Sequence, residues 1–351
     1  MHQGSLSVVM PNYNHGKYIA RSIEAVISQS RPPDEYIILD DGSTDNSVEI
    51  IESYVQQYPS IQLVRNEQNT GAPEAIRRVV NLASGDYIYA DSADDYVLPG
   101  FFEKAMQMAA QYPQAGIIFG KMIAGDTDGN ELGVYGVPRW QHPLFVPPER
   151  FLREYLAVEA PEHSLCATTV YKREALENIG GFREELGSWC DTFAARAIAL
   201  KDGACYLPQP VAMWTYLPES LSSSTANNPH QMLDIIARAA WLMRSSEFRE
   251  YFPEEYVAQW ESEYRQVIIN AHIKRLRSCF QMSQTIYQRG MDGEKWHYRL
   301  LEQVYRAWTR LEQRIWVKSL KLALQRYQGD ISCYHTDGSS VPSSSSTPTT
   351  T

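Results

Sequence analysis

Three aspartates stand close together in the segment YADSADDYVLPG, residues 89–100. Asp91, Asp94 and Asp95 follow an apolar run that is typical of a buried strand. Carboxylates held within a few ångströms raise one another's pKa, and a hard divalent cation relieves that repulsion. Mg2+ and Mn2+ prefer one or two carboxylates together with diphosphate oxygens. The segment therefore favours a metal site shared with a nucleotide over a solvated turn in which Asp94 or Asp95 caps a helix beginning near Leu98.

A second polar cluster, LDDGSTDNS, contains the pair Asp40 and Asp41. A carboxylate at a strand end can accept a hydrogen bond from a nucleobase, and the helix N-terminus beside it favours a phosphate. The alternative is an Asp-Gly turn in which Ser43, Thr44 or Asp45 caps the next helix. Capping explains one of these residues but not the aspartate pair, so both interpretations stay open at this point.

The strand pattern predicts how these clusters meet. From Ser5 to about Phe119, short apolar runs alternate with amphipathic segments. This alternation predicts an α/β fold, a mostly parallel sheet with helices on both faces. Ligands of such sheets bind beyond the carboxyl ends of the strands. The clusters PNYNHG, DDGSTDNS and DSADD follow the first, second and fourth strands, so we expect them to share one edge.

Composition limits the function classes. The chain has 351 residues, a formal net charge of -10 and 44% hydrophobic residues, which fits one large globular domain or two smaller ones. The acidic balance argues against nucleic acid as a partner. Five cysteines without a Cys-x-x-Cys pair suggest neither a disulfide framework nor a zinc site. With no signal-peptide pattern and no run of about 18 apolar residues, we expect a cytoplasmic protein.

Several segments together carry a family resemblance. SVVMPNYNHGKYIARSIEAVISQS, IILDDGSTDNS, NTGA, ASGDYIYADSADDYVLPG, IGGFREE and CDTFAARAIALKDGACYLPQPVAMW occur in this order over about 5–224. In content and spacing they resemble family 2 glycosyltransferases of the GT-A fold. The resemblance implies a Rossmann-like fold and an inverting transfer of sugar from a nucleotide diphosphate sugar, UDP-linked in the first instance, to an acceptor hydroxyl. Cell-surface polysaccharide or glycolipid synthesis is the implied setting.

The resemblance also implies roles for single residues. Asp191 would be the general base and Asp95 the direct ligand of Mn2+ or Mg2+, while Gly181 and Trp189 would contact the acceptor or the sugar. The nucleotide contacts would come from Pro11, Tyr13, Asn14, Asp41, Ser43 and Asp94.

Asp191 also has a simpler interpretation as the N-cap of the helix TFAARAIAL. There the helix dipole would lower the pKa of Asp191 and weaken it as a base. Trp189 could stack on a sugar face, although tryptophan more often serves core or rim packing.

The chain departs from the family pattern at several points. Relatives have Asp-x-Asp-Asp where this chain begins with Ser92, and the extra acid, Asp91, falls one place earlier, which on a strand points to the opposite face. Many relatives also carry Arg-Asn where this chain has Ile76-Arg77, so Arg77 or Arg78 is only a weak candidate for phosphate contact. No histidine occurs over 216–220, where some relatives place a metal ligand. A catalytically inactive nucleotide-binding or interaction module is the alternative.

The domain organisation follows from these patterns. We expect one domain over 1–224, with a nucleotide-sugar half to about 120 and an acceptor half from about 121. Helical patterns predict an α-helical region over 225–330, and the Ser/Thr-rich segment 331–351 is expected to be disordered.

One predicted helix, 301–328, is basic and amphipathic. Arg306, Arg310, Arg314 and Lys318 recur on one face. Such a helix can lie on the inner face of a membrane, which would suit a lipid-linked acceptor, or it can be a solvated helix packed on its own domain.

Overall fold

The computed structural model describes residues 4–157, 165 and 167–270. They fall into two compact units, of which the larger contains 4–228 and 238–259. The smaller contains 229–237 and 260–270, and both of these segments are helical. The predicted helix 301–328 and the tail 331–351 lie outside the described residues.

The larger unit contains one mixed sheet flanked by helices. The strands are β1 (Leu6–Asn12), β2 (Glu35–Asp40), β3 (Ile61–Arg65), β4 (Tyr87–Ala90), β5 (Tyr96–Val97), β6 (Ile117–Gly125), β7 (Glu131–Tyr135), β8 (Leu144–Val146), β9 (Thr169–Lys172) and β10 (Ala204–Thr215). The α-helices of this unit are α1 (Ile19–Ile27), α2 (Ser47–Gln57), α3 (Ala72–Leu82), α4 (Phe101–Gln111), α5 (Pro148–Phe151), α6 (Arg173–Asn178), α7 (Cys190–Asp202) and α8 (Leu221–Asn227). The helix α9 (Pro229–Arg244) belongs to the smaller unit over 229–237 and to the larger unit from 238 onward. A π-helical segment, Leu152–Leu156, follows α5, and a 3-10 helix, Glu184–Trp189, precedes α7.

The strand order brings the predicted polar clusters together. Within the described residues the order is β3-β2-β1-β4-β9-β6-β10-β5, with β7 beside β6 and β8 beside β10. β1 pairs in parallel with both β2 and β4, so that Asn12 lies opposite Asp40 and Val9 opposite Ala90. The predicted α/β fold with a mostly parallel sheet is confirmed. β9 is the main departure, because it runs antiparallel to both β4 and β6.

The helix α1 shows why the first half of the chain folds as its pattern predicts. Its apolar residues Ile19, Ile23 and Val26 recur at helical spacing and are fully buried. They share a core with Phe101 and Phe102 of α4. Fully burying a side chain of this size stabilises the fold by about 1.5–3 kcal/mol, so this core fixes α1 on the sheet.

Candidate active site

The ends of β1, β2 and β4 form one polar edge, as the sequence predicts. The side-chain amide of Asn12, at the end of β1, donates to Oδ1 of Asp40 (2.8 Å) and to Oγ of Ser43 (3.2 Å). The backbone amide of Asp41 donates to the Asn12 carbonyl (2.8 Å), and that of Asp91 donates to the Val9 carbonyl (2.8 Å). These bonds therefore join the first two clusters directly, and a backbone bond ties the third cluster to β1.

The loop after β1 is fastened to the loop after β2. Asn14 has φ 56°, in the left-handed region, and its side-chain oxygen accepts from the backbone amide of Thr44 (2.7 Å). Its own backbone amide donates to Oγ of Ser43 (2.9 Å). Pro11 is partly buried in β1, while the Tyr13 side chain remains 40% exposed. Asn14 and Ser43 thus shape this edge, and Tyr13 offers it an open aromatic surface.

The expected cap of α2 is corrected by the structure. The N-cap position is Asn46, rather than Ser43, Thr44 or Asp45, and its side chain makes no capping bond. Asp45 instead accepts from the backbone amide of Ser47 (2.9 Å) in the first turn. Helix capping therefore does not account for the polar residues that precede Asp45.

Asp41 holds the loop that follows β3. Its carboxylate accepts from the side-chain amide of Asn66 (2.6 Å), the hydroxyl of Thr70 (2.8 Å), and the backbone amides of Thr70 and Gly71 (3.0 Å each). Desolvation raises the pKa of Asp41, but these hydrogen bonds outweigh it and leave the pKa below its ordinary value. Asp41 is therefore ionised and already well supplied with donors.

A glycine is required between Asp41 and Ser43. Gly42 has φ +75°, and a Cβ atom there would lie 2.9 Å from the backbone carbon of Gln68. Any side chain would therefore separate the β2 loop from the β3 loop that Asp41 holds.

Asp91 lies at the end of β4 and is buried, with 4% of its surface exposed. Its Oδ1 accepts from the backbone amide of Ser92 (3.0 Å), whereas its buried Oδ2 has no hydrogen-bond partner. Burial raises the pKa of Asp91 well above its ordinary value, and the charge of Asp94 adds to the shift. Among the described residues, no three Asp, Glu, His or Cys side chains are grouped to hold a metal. A cation shared by all three aspartates of the segment is thus not supported.

Asp94 and Asp95 offer a smaller set of ligands. Oδ1 of Asp95 accepts from the backbone amide of Thr215 (2.8 Å), at the end of β10. Within the described residues, nothing donates to its Oδ2 or to the buried carboxylate of Asp94. Burial raises the pKa of Asp95 well above its ordinary value, with Asp94 the next largest cause. Two adjacent, under-satisfied carboxylates fit a hard divalent cation whose other ligands are diphosphate and water oxygens.

Neither of these aspartates caps a helix. The alternative of a cap near Leu98 is wrong, because α4 begins at Phe101 and its N-cap is Gly100. The backbone between Asp95 and the helix is occupied by β5, which pairs with β10.

Asp191 lies in the first turn of α7, one residue after the helix begins. The N-cap is Trp189, so Asp191 is not the cap that the alternative interpretation places there. Its half-buried side chain accepts from the backbone amide of Thr192 (2.6 Å). Desolvation raises the pKa of Asp191 to about 6, against the lowering effects of Thr192 and of the charge of Arg196. The net shift is therefore upward, opposite to the lowering expected at a helix N-terminus, because desolvation is the largest effect.

The surroundings of Asp191 connect it to the sheet. The Tyr171 hydroxyl of β9 donates to the Asp191 carbonyl (3.3 Å), and β9 pairs with β4, the strand that leads to Asp91. The Arg196 guanidinium lies 5.5 Å from the centre of the Trp189 ring. Gly181 has φ +77°, and no atom lies within 4 Å of where its Cβ would be. Gly181 therefore borders open space, which is compatible with a ligand contact.

The two arginines of α3 have different partners. Arg77 forms an ion pair with Glu74 on the helix surface. Arg78 donates to the side-chain oxygen of Asn66, the residue that also donates to Asp41. Only Arg78 is thus connected to the polar edge.

Sequence reasoning missed several residues that organise this edge. Arg21 and Ser22 of α1 lie within the first segment of the resemblance but were given no role, and Thr215 stands at the end of an unpredicted strand. Thr70 could have been found, since it belongs to the segment NTGA that carries part of the resemblance. In the part of the chain that the structure describes, none of the helices has the length and apolar character needed to cross a bilayer.

Comparison with known proteins finds a family match over the part of the chain that includes the ends of β1, β2 and β4. Residues 7–180 match the family model described as Glycosyl transferase family 2. The chain is 42% identical over 106 residues to the uncharacterized glycosyltransferase YibD of Escherichia coli (strain K12), covering 30% of each protein. It therefore spans well under two thirds of that curated relative.

Two solved structures share the fold. One is S. aureus TarS 1-349 in complex with UDP-GlcNAc, with a TM-score of 0.59 at 19% identity, covering 74% of this chain and 71% of that one. The other is the mannosyltransferase PcManGT from Pyrobaculum calidifontis in complex with GDP-Man and Mn2+, with a TM-score of 0.55 at 16% identity, covering 92% and 86%. At these identities the likeness establishes the fold, and the site must be argued from its own residues.

Proposed function

Because this chain belongs to glycosyltransferase family 2, we propose that it transfers a sugar from a nucleotide diphosphate sugar to an acceptor hydroxyl, with inversion at the anomeric carbon. The observation that carries the proposal is the pair Asp94 and Asp95, which follow β4 and are buried. Among the described residues, the Asp95 carboxylate accepts one hydrogen bond, from the backbone amide of Thr215. A pair of this kind suits a metal-bound diphosphate.

The donor would lie along the polar edge. Tyr13 offers an exposed ring for a base or ribose, and Pro11 is a partly buried residue near the end of β1, two positions before it. Asn14, Asp41 and Ser43 would shape the nucleotide pocket, each of them through the hydrogen bonds that it already makes. A UDP-sugar is the proposed donor, in line with the TarS complex. The GDP-Man complex of the second fold relative makes GDP the alternative to test.

The chemistry requires a base but no covalent nucleophile. The acceptor oxygen attacks the anomeric carbon from the face opposite the nucleoside diphosphate, the bond to the diphosphate breaks, and Asp191 takes the acceptor proton. With a pKa of about 6, Asp191 is ionised at neutral pH and yet more basic than an ordinary aspartate. Asp95, with Asp94 beside it, would hold Mn2+ or Mg2+, which when bound supplies positive charge against the leaving diphosphate.

The proposed acceptor site is supported by fewer residues than the donor site. Gly181 borders open space, and Trp189, next to Asp191, offers a ring for a sugar face. We propose a saccharide or lipid-linked acceptor from cell-surface polysaccharide or glycolipid synthesis. Catalysis would take place in the cytoplasm, with peripheral membrane contact through the basic segment 301–328, which lies outside the described residues.

A calorimetric titration tests the donor site. UDP and GDP are each titrated with and without Mn2+, and release of the nucleotide from its sugar conjugates is then followed with candidate acceptors. We expect metal-dependent binding of UDP, followed by turnover. Binding without any turnover would favour the inactive module that the Ser92 departure suggests. No binding of either nucleotide would refute the proposal.

A further inference from the structure

The segment that carries Asp94 and Asp95, residues 93–96, is called the acidic loop here, and it is held from two sides. On the α1 side, the Ser22 hydroxyl lies within hydrogen-bond distance of the carbonyl oxygens of Ala93 (3.0 Å) and Asp95. On the β10 side, the backbone amide of Thr215 donates to the Asp95 carboxylate (2.8 Å). The acidic loop is therefore held at Ala93 and Asp95 by Ser22 and Thr215.

The side chain of Arg21 in α1 contacts both the acidic loop and the end of β10. Its Nη2 donates to the backbone carbonyl of Asp94 (3.2 Å) and to Oγ1 of Thr215 (3.2 Å). Its guanidinium carbon lies 4.3 Å from the centre of the Tyr96 ring. A planar guanidinium can stack on a ring while it donates in its own plane, and a lysine ammonium cannot do both in the same way.

We propose that Arg21 is a positioning residue that fixes Asp94 and Asp95 for the metal and the diphosphate. The inference rests on the proposed function and extends it to a residue of α1 to which the sequence analysis assigned no role. Arg21 donates to the backbone of Asp94 and to the neighbour of the Asp95 carboxylate, so it acts through the loop and not as a ligand.

The positive charge of Arg21 and its positioning role would have opposite effects on metal affinity. Its positive charge lies near enough to Asp95 to lower the pKa of that carboxyl, although this is the smallest of the causes acting on it. A nearby positive charge repels an incoming cation, so its removal alone should tighten metal binding. Loss of positioning should weaken metal binding. Whether substitution of Arg21 weakens or tightens metal binding therefore distinguishes positioning from charge repulsion.

Three substitutions make this separation. Arg21→Lys keeps the charge but loses the planar fork, and Arg21→Gln loses both. Thr215→Val removes the hydroxyl that Arg21 binds while keeping the backbone amide that binds Asp95. Arg31→Lys, on the segment after α1, is the matched control, because Arg31 donates to the Gly4 carbonyl instead of the acidic loop.

The experiment titrates Mn2+ into each variant at saturating UDP, with metal-free UDP binding and the melting temperature measured in parallel. We expect both Arg21 variants to raise the half-saturating Mn2+ concentration about tenfold, Thr215→Val to raise it less, and the control to leave it unchanged. Metal-free UDP affinity should not change. An unchanged half-saturation in Arg21→Lys and Thr215→Val, or tighter metal binding in Arg21→Gln, would overturn the positioning role while leaving the proposed function intact. Absence of any Mn2+ response in the wild type would overturn both.

Discussion

The backbone amide of Thr215 donates to Oδ1 of Asp95 across 2.8 Å, although 120 residues separate the two in the chain. The end of β10 thereby sets the orientation of one carboxylate in the acidic loop. One oxygen is held by the protein, and the other is left for a ligand.

Replacing Asp95 with Asn should remove the response of UDP binding to Mn2+, with a loss of at least about tenfold in metal-dependent affinity. The fold should be retained, because the Asn side-chain oxygen can still accept from Thr215. Calorimetry with and without metal measures the effect, and Asp128→Asn, on an exposed turn, is the control. An unchanged metal response would show that Asp95 is not the ligand.

Replacing Asp191 with Asn should lower the rate of transfer by about 10²–10⁴-fold, which is the usual contribution of a general base. Nucleotide binding should not change, because the proposed donor contacts lie on the β1, β2 and β4 loops. Initial rates and UDP titrations on the same preparation separate the two effects. Full activity in this variant would mean that another group takes the proton.

The pH profile of the wild type follows from the raised pKa of Asp191, about 6. A base acts in its deprotonated form, so the rate should rise from pH 5 to about 7 and then level off. The residual activity of Asp191→Asn should lack this rise. A wild-type profile that is flat between pH 5 and 7 would contradict the assignment.

Asp191 should also lower the stability of the fold at neutral pH. Its pKa is about 6 in the folded state against 3.8 as the ordinary value, so between these values the folded state binds more protons than the unfolded state. Stability therefore decreases as the pH rises through this window. Asp191→Asn should gain melting temperature relative to the wild type at pH 7, and this gain should shrink at pH 4. An equal difference at both pH values would contradict the prediction.

Asp41 should have the opposite pH dependence. Its pKa is lowered by hydrogen bonds, so its contribution to stability is present above the unfolded pKa and is lost as the pH falls. Asp41→Ala leaves the donors of Asn66, Thr70 and Gly71 without their acceptor and should cost about 2–4 kcal/mol of unfolding free energy. Urea unfolding measures this, with Asp128→Ala as the control. A cost below about 0.5 kcal/mol would show that the β3 loop does not depend on Asp41.

Much of the fold could be predicted because its signals are local. β1, β2 and β4 are apolar runs with polar residues at their ends, and their parallel pairing follows from the helices between them. β10 could not be predicted in the same way, since Pro208 and Pro210 interrupt its sequence and its register with β6 shifts there. β5 has only two residues, which is too short for a sequence pattern, and it is a strand only because it pairs with β10.

The candidate site was predictable in its residue types but not in its connections. The carboxylates stand out in the sequence, whereas the donors of Asp41 come from a different loop and Arg21 looks like any polar residue on a helix surface. The pKa of Asp191 shows the same limit. A helix N-terminus is visible in the sequence and predicts a lower pKa, but the desolvation that raises the pKa arises only when the chain folds and buries the carboxyl.

The reversed direction of β9 has a consequence for substitutions near the polar edge. Thr169 begins this strand level with the end of β4, so the chain arrives at the polar edge just before β9 and need not follow a parallel strand to reach it. Ala167 and Thr168, just before this strand, are therefore not paired with β1, β2 or β4, although the Ala167 carbonyl accepts from the hydroxyl of Tyr89 in β4 (2.7 Å). Side-chain changes at these two positions should therefore alter the polar edge while leaving the hydrogen-bonded pairing of β1, β2 and β4 as it is.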